Sequence, residues 1–209
     1  LLETLRAIQA SEPLANDVIF LFTDAEEEGL FGAQAYFEKH RFAKETGLVL
    51  NFEARGSKGP ASMFQTSAAN DKLIEALADV VDKPLANSLT VTIYRNMPND
   101  TDLSISLKDD IPGMNFAFIE GFYDYHTKGD SAENLSPATL QHLGDQALAM
   151  TRFMGNQTLP LADSEEVVFF DFLTLFLVSY PLWVSWLVAG AAIIALAWFA
   201  KDKIAAQQI

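Results

Sequence analysis

Hydrophobic positions near the start of the chain recur at Leu2, Leu5 and Ile8, which predicts the end of an amphipathic helix broken by Ser11-Glu12-Pro13. Asp17 to Thr23 is a nearly continuous β-branched and aromatic run, the pattern of a strand buried on both faces. Gly29 to His40 reads as helix, Gly47 to Phe52 as a second buried strand and Ala61 to Gln65 as a short third. Asp71 to Val81 places Leu73, Ile74, Leu77, Ala78 and Val81 on one helical face. Leu89 to Tyr94 fits a strand, Thr101 to Leu107 a short helix and Gly113 to Ile119 a further buried strand. Pro137 to Met154 is a long helix, with Ser136 as cap and proline at its first position. Strands alternating with helices predict an α/β domain around a mostly parallel central sheet.

The periodicity then changes. Leu182 to Ala200 carries no charge over 19 residues and is closed by Lys201-Asp202-Lys203. As a helix it reaches roughly 28 Å, close to the hydrocarbon thickness of a bilayer. Trp183, Trp186 and Trp198 lie near its ends, where amphipathic rings favour the interface. The alternative, a buried core helix, does not account for those flanks. Val167 to Tyr180 is apolar except for Asp171, and Pro181 separates it from the long run. It reads as an interfacial segment or as the beginning of the same span, kinked at the proline. The expected organisation is a folded domain over 1–155, a connector over 156–166, an interfacial segment over 167–181, a transmembrane helix over 182–200 and a polar tail over 201–209. Lysines at the far end of the helix favour a cytoplasmic exit and place the domain outside the cytoplasm, in a periplasm or an organelle lumen.

Charge sharpens this division. Of 28 acidic and 14 basic residues, 26 and 12 fall between Leu1 and Glu166, so the soluble part carries the whole net charge of −14. Such a surface argues against nucleic-acid partners, which need clustered lysine and arginine. The absence of cysteine excludes disulfide frameworks, thiolate zinc sites and cysteine nucleophiles. The chain starts in helical period without methionine, which leads us to expect a piece of a longer protein.

In α/β folds chemistry gathers beyond the carboxyl ends of strands. Three such ends carry or precede acids: Asp24-Ala25-Glu26-Glu27-Glu28-Gly29, then Glu53, then Glu120 with a loop holding Tyr123, Asp124, Tyr125, His126 and Asp130. Taken singly, three glutamates opening a helix are an ordinary solvated cap, and a lone histidine is usually a surface group. Together, carboxylates and one imidazole are hard donors suited to Zn²⁺ or a similar divalent ion. Without a cation, Glu26, Glu27 and Glu53 would repel one another in a cleft. His40 and His142 have no such neighbours, and packing is the expected role of His142.

Phe22-Thr23-Asp24-Ala25-Glu26-Glu27-Glu28-Gly29-Leu30-Phe31-Gly32 resembles the strand–EExGLxG–helix signature of the di-zinc aminopeptidase family. Asn51-Phe52-Glu53-Ala54-Arg55-Gly56 resembles its next metal-ligand segment, with Glu where many members have Asp. Asn99-Asp100-Thr101-Asp102-Leu103, Ile111-Pro112-Gly113 and the stretch from Tyr125-His126-Thr127 to Leu135 follow in the family's order. Within that family the pattern is most similar to the endoplasmic-reticulum metallopeptidase and vacuolar membrane protease branch. The resemblance implies a zinc-exopeptidase-like three-layer sandwich followed by a transmembrane helix. It implies a membrane-anchored, peptide-hydrolysing enzyme with two Zn²⁺ per complete domain. Carried over, Glu26 is the general base, Glu27 and His126 hold one zinc, and Glu53 holds the other. The family's upstream His-x-Asp and bridging Asp have no counterpart in these 209 residues, so the piece alone is expected to be inactive. A glutaminyl-cyclase-like zinc enzyme and a non-catalytic membrane module on the same scaffold are the alternatives. The expected partners are a peptide substrate and, through the C-terminal helix, membrane lipid.

Overall fold

The computed structural model describes residues 1–161 and 164–206, with side chains through residue 200. Helix α1 (Leu2–Gln9) is followed by α2 (Phe31–Lys39), strands β1 (Val49–Ala54) and β2 (Ser62–Thr66), and helices α3 (Asp71–Val80), α4 (Ser88–Arg95) and α5 (Asp102–Lys108). Then come β3 (Gly113–Phe118), α6 (Pro137–Met154), β4 (Val167–Phe172), β5 (Phe176–Pro181) and α7 (Leu182–Ala206).

The sheet has the order β1-β3-β2. β1 and β3 run parallel, in register from Val49 opposite Gly113 to Ala54 opposite Phe118. β2 joins antiparallel, with a bulge between Met63 and Gln65, so the sheet is mixed. β3 is buried along its whole length, as a strand covered on both faces must be. Its Met114 and Phe116 join Leu73, Ile74 and Leu77 of α3 and Met150 of α6 in the main core. Its Asn115 points the other way, to Thr101 at the start of α5. Helices α1, α3 and α6 therefore form one outer layer and α2 and α5 the other.

Local signals explain several boundaries. Asn87 Oδ1 accepts from Thr90 N at 2.8 Å to start α4, and Ser136 with Pro137 starts α6. The expectation of a strand at Leu89–Tyr94 is overturned: the segment is α4. The Asn87 cap and the burial of Val91 outweigh a β-branched composition that, in isolation, favours a strand. The expected strand at 17–23 does not form, because among the described residues nothing supplies a ladder to it. Val18, Ile19, Leu21 and Phe22 stay exposed.

The stretch after the connector is a β-hairpin, in register from Val167 opposite Pro181 to Phe172 opposite Phe176. Phe169 is buried in the main core. Asp171 receives bonds from Ala86 N and Thr174 N, so its charge is used inside the fold. The connector is pinned as well: Asp71 accepts from Ser164 Oγ and Glu165 N, and Asn70 from Val167 N. Helix α7 follows directly, and Leu182–Ala200 is long and apolar enough to cross a membrane, with none of it buried inside the fold. Lys201 and Lys203 lie outside the described side chains, and 162–163 of the connector and 207–209 of the tail lie outside the described residues.

Candidate active site

The glutamates sit on a tight turn between the apolar run 17–23 and α2. Gly29 adopts φ +124°, a region L side chains rarely enter. At Gly32 a Cβ would lie 2.5 Å from the carbonyl oxygen of Asp24, so only glycine allows this approach. The bonds Leu30 N to Glu26 O and Gly32 N to Asp24 O close the turn. It leaves the three acids before the helix rather than in its first turn.

Glu27 and His126, 99 residues apart in sequence, meet directly, with Nε2 at 2.6 Å from Oε1. Tyr125 donates its hydroxyl to the same oxygen at 3.1 Å and stacks on the His126 ring at 3.8 Å between centroids. These bonds hold the Glu27 carboxyl below its ordinary range, the His126 bond contributing most. The loop is tied to the end of β1 by Ser57 Oγ, which donates to Asp124 Oδ2 at 2.5 Å. His126 has φ +56°, a left-handed conformation held by these neighbours.

Glu26, Glu27, Glu53 and His126 line one open cleft of about 1950 Å³, together with Thr23, Tyr94, Asp102 and Tyr125. Glu53 is mostly buried, and burial pushes its carboxyl up to about 7. The Glu26 and Asp102 carboxylates push the same way, while the Asn115 and Asn51 amides oppose them. Glu26 is raised by desolvation and by the charges of Glu27 and Asp102. Burial and the Glu53 charge lift Tyr94 to about 12.

A part-buried amide ladder underlies Glu53. Asn51 Nδ2 donates to Glu53 Oε1 at 3.1 Å and to Asn115 Oδ1 at 3.0 Å. Asn115 Nδ2 donates to Gln65 Oε1 at 3.1 Å and to Thr101 Oγ1 at 2.7 Å. The ladder crosses all three strands and ends at the cap of α5, next to Asp102. Thr23 Oγ1 donates to Asp102 Oδ2, while Asp102 Oδ1 is buried with no hydrogen-bond partner among the described residues.

Sequence reasoning named Tyr125, Asp102 and Asn51 only within motif stretches and assigned no role to them or to the other amides. The usable signal was polar residues inside apolar strand runs: Asn51 shares a face with Glu53 and stands in register with Asn115. His142 stays outside the site; its Nδ1 accepts from Ala61 N at 3.0 Å, which ties α6 to β2.

Among the described residues no three His, Asp or Glu side chains form a ready-made metal cage. The donor chemistry nevertheless fits a divalent cation. Carboxylates crowd one cleft, one carboxylate oxygen is orphaned, and an imidazole nitrogen stands beside them.

The sequence profile described as Peptidase family M28 matches residues 1–151. The chain is 33% identical over 213 residues to endoplasmic reticulum metallopeptidase 1 of Rattus norvegicus, covering 98% of this chain and 24% of that protein. Against the Homo sapiens protein of the same name it is 35% identical over 190 residues, covering 87% of this chain and 21% of that one. Against the vacuolar membrane protease of Saccharomyces cerevisiae it is 30% identical over 196 residues, with 90% and 20% covered. The chain thus spans about a quarter of the length of the curated relatives it matches. No solved structure matches.

Proposed function

The chain belongs to peptidase family M28, and from that premise we propose that its full-length protein is a membrane-anchored, zinc-dependent exopeptidase of aminopeptidase type. The observation that carries this reading is the meeting of Glu27 and His126 from distant parts of the chain, beside Glu26 and Glu53 in one cleft.

In this reading Glu27 and His126 hold one zinc and Glu53 holds the second. Bound zinc supplies acidification of a water molecule and polarisation of the peptide carbonyl. The chain's own groups supply the rest. Glu26, partly shielded and crowded by Glu27 and Asp102, is held above the usual carboxylate range. That suits a group that takes a proton from water and returns it to the leaving amine. Tyr125 steadies the Glu27 carboxylate by donating its hydroxyl to the same oxygen that meets His126. Glu53, costly to keep ionised in its buried position, gains a reason to be charged when a cation shares the cleft.

Helix α7 is assigned as a transmembrane span, with the acidic domain on the non-cytoplasmic side. Its length, its apolar composition and the words "endoplasmic reticulum" and "vacuolar membrane" in the relatives' names support the span, and the side rests on Lys201 and Lys203 at its far end. Protease protection of the full-length protein in sealed vesicles tests the side.

The roles of the paired glutamates separate in one experiment on the full-length protein. Glu26→Gln should keep its zinc and lose turnover by about 10²–10⁴-fold. Glu27→Ala should lose zinc, measured by elemental analysis. Equal zinc loss in both variants overturns the assignment.

A further inference from the structure

The two faces of the β4–β5 hairpin differ. On one, Val167 stands opposite Pro181, Phe169 opposite Ser179 and Asp171 opposite Leu177. Phe169, Val167 and Leu177 pack into the main core. The other carries Val168 opposite Tyr180, Phe170 opposite Val178 and Phe172 opposite Phe176. An antiparallel pair that faces water alternates to polar residues on its outer side. Here the outer side has no charged residue. Phe170, Phe172 and Phe176 are 40%, 49% and 51% exposed, and Leu173 and Leu175 at the tip are 74% and 68% exposed. A contiguous exposed apolar face of this kind marks an interaction surface.

Its position indicates what it meets. β5 ends at Pro181 and α7 begins at Leu182, with no residue between them, and the start of α7 packs against both strands. Exposed Trp183 and Trp186 follow within the first turns. Six residues of strand reach only about 20 Å, so the whole hairpin stays close to the point where the chain enters lipid. The net charge of the soluble part, −14, gives no attraction to anionic headgroups, so contact must rest on apolar burial.

The geometry points to the outer face of the β4–β5 hairpin as a lipid-contacting surface that lies in the bilayer interface beside α7. Helix and hairpin then form a two-part attachment that fixes how the cleft is presented above the membrane. The inference rests on α7 spanning the bilayer, and its test separates the two.

The full-length protein is reconstituted into phosphatidylcholine vesicles with an environment-sensitive fluorophore on one introduced cysteine at a time: Leu175→Cys, Ile194→Cys or Lys128→Cys. These 209 residues contain no cysteine, and any cysteine elsewhere in the full-length protein is first replaced by serine. Lipids carrying a nitroxide near the headgroup end of the acyl chain, or deep within it, serve as quenchers. The label at 175 should lose about half its emission to the shallow quencher, the depth expected of an interfacial face. The label at 194 should respond to the deep quencher and that at 128 to neither. A quenched 194 with a water-like 175 overturns the hairpin inference and leaves the span standing. A blue-shifted but unquenched 175 overturns it too, because protein rather than lipid then covers the face. If neither 175 nor 194 is quenched, the span and the inference fall together.

Discussion

Glu53 shows how much of this site depends on single side chains. Its carboxyl titrates near 7 in the fold against an ordinary 4.5, so the folded state holds an extra proton between those values. The resulting stabilisation is complete below about pH 4.5 and is lost as pH rises through about 7, amounting to roughly 3 kcal/mol at most. Chelator-treated protein should therefore lose stability across that window, and Glu53→Gln should flatten the loss, as read by urea unfolding at several pH values. Asn115 is fully buried and serves three partners. Asn115→Leu should leave Gln65, Thr101 and Asn51 short of bonds and cost about 2–4 kcal/mol, measured by thermal unfolding. A cost within a few tenths would mean the ladder does not hold Glu53.

Among elements, the turn before α2 and the hairpin after the connector are the most exacting. Gly32→Ala would drive a methyl into the Asp24 carbonyl and displace Glu26 and Glu27. It should cost about 1–3 kcal/mol and reduce metal content, whereas Gly144→Ala, with open space around it in α6, should be neutral or mildly stabilising. Helix α4 depends on its cap, and Asn87→Ala should cost about 1 kcal/mol in chemical denaturation. This helix also explains why composition misled at Leu89–Tyr94: alternating Thr, Val and Ile favour a strand locally, but the cap and the packing of Val91 come from outside the segment.

At the scale of the molecule, the hairpin belongs to the folded domain although it looks in sequence like the approach to a membrane. Truncation after Pro181 should preserve cooperative unfolding relative to the longer chain. Truncation after Glu166 removes Phe169, Val167 and Leu177 from the core, and Phe169 alone accounts for about 3–5 kcal/mol. The shorter chain should melt earlier or aggregate, as followed by circular dichroism. Equal melting of both would detach the hairpin from the core.

The elements with strong internal signals were legible before any coordinates: α3 from its apolar stripe, α6 from its Ser136-Pro137 start, β1 and β3 from buried runs, and Leu182–Ala200 from its uncharged length. The acids worth watching were legible too, because a motif keeps its spacing along the chain. Other features needed the third dimension. Whether 17–23 is a strand depends on a neighbour's ladder, and whether 167–181 meets lipid or core depends on which face its pairing turns inward. The 2.6 Å meeting of Glu27 with His126 joins a turn that Thr23 ties to Asp102 and a loop after β3 that Ser57 pins. Periodicity and spacing are local properties of a chain, whereas a partner, a buried charge or a shared cleft is a relation between segments, and only packing creates it.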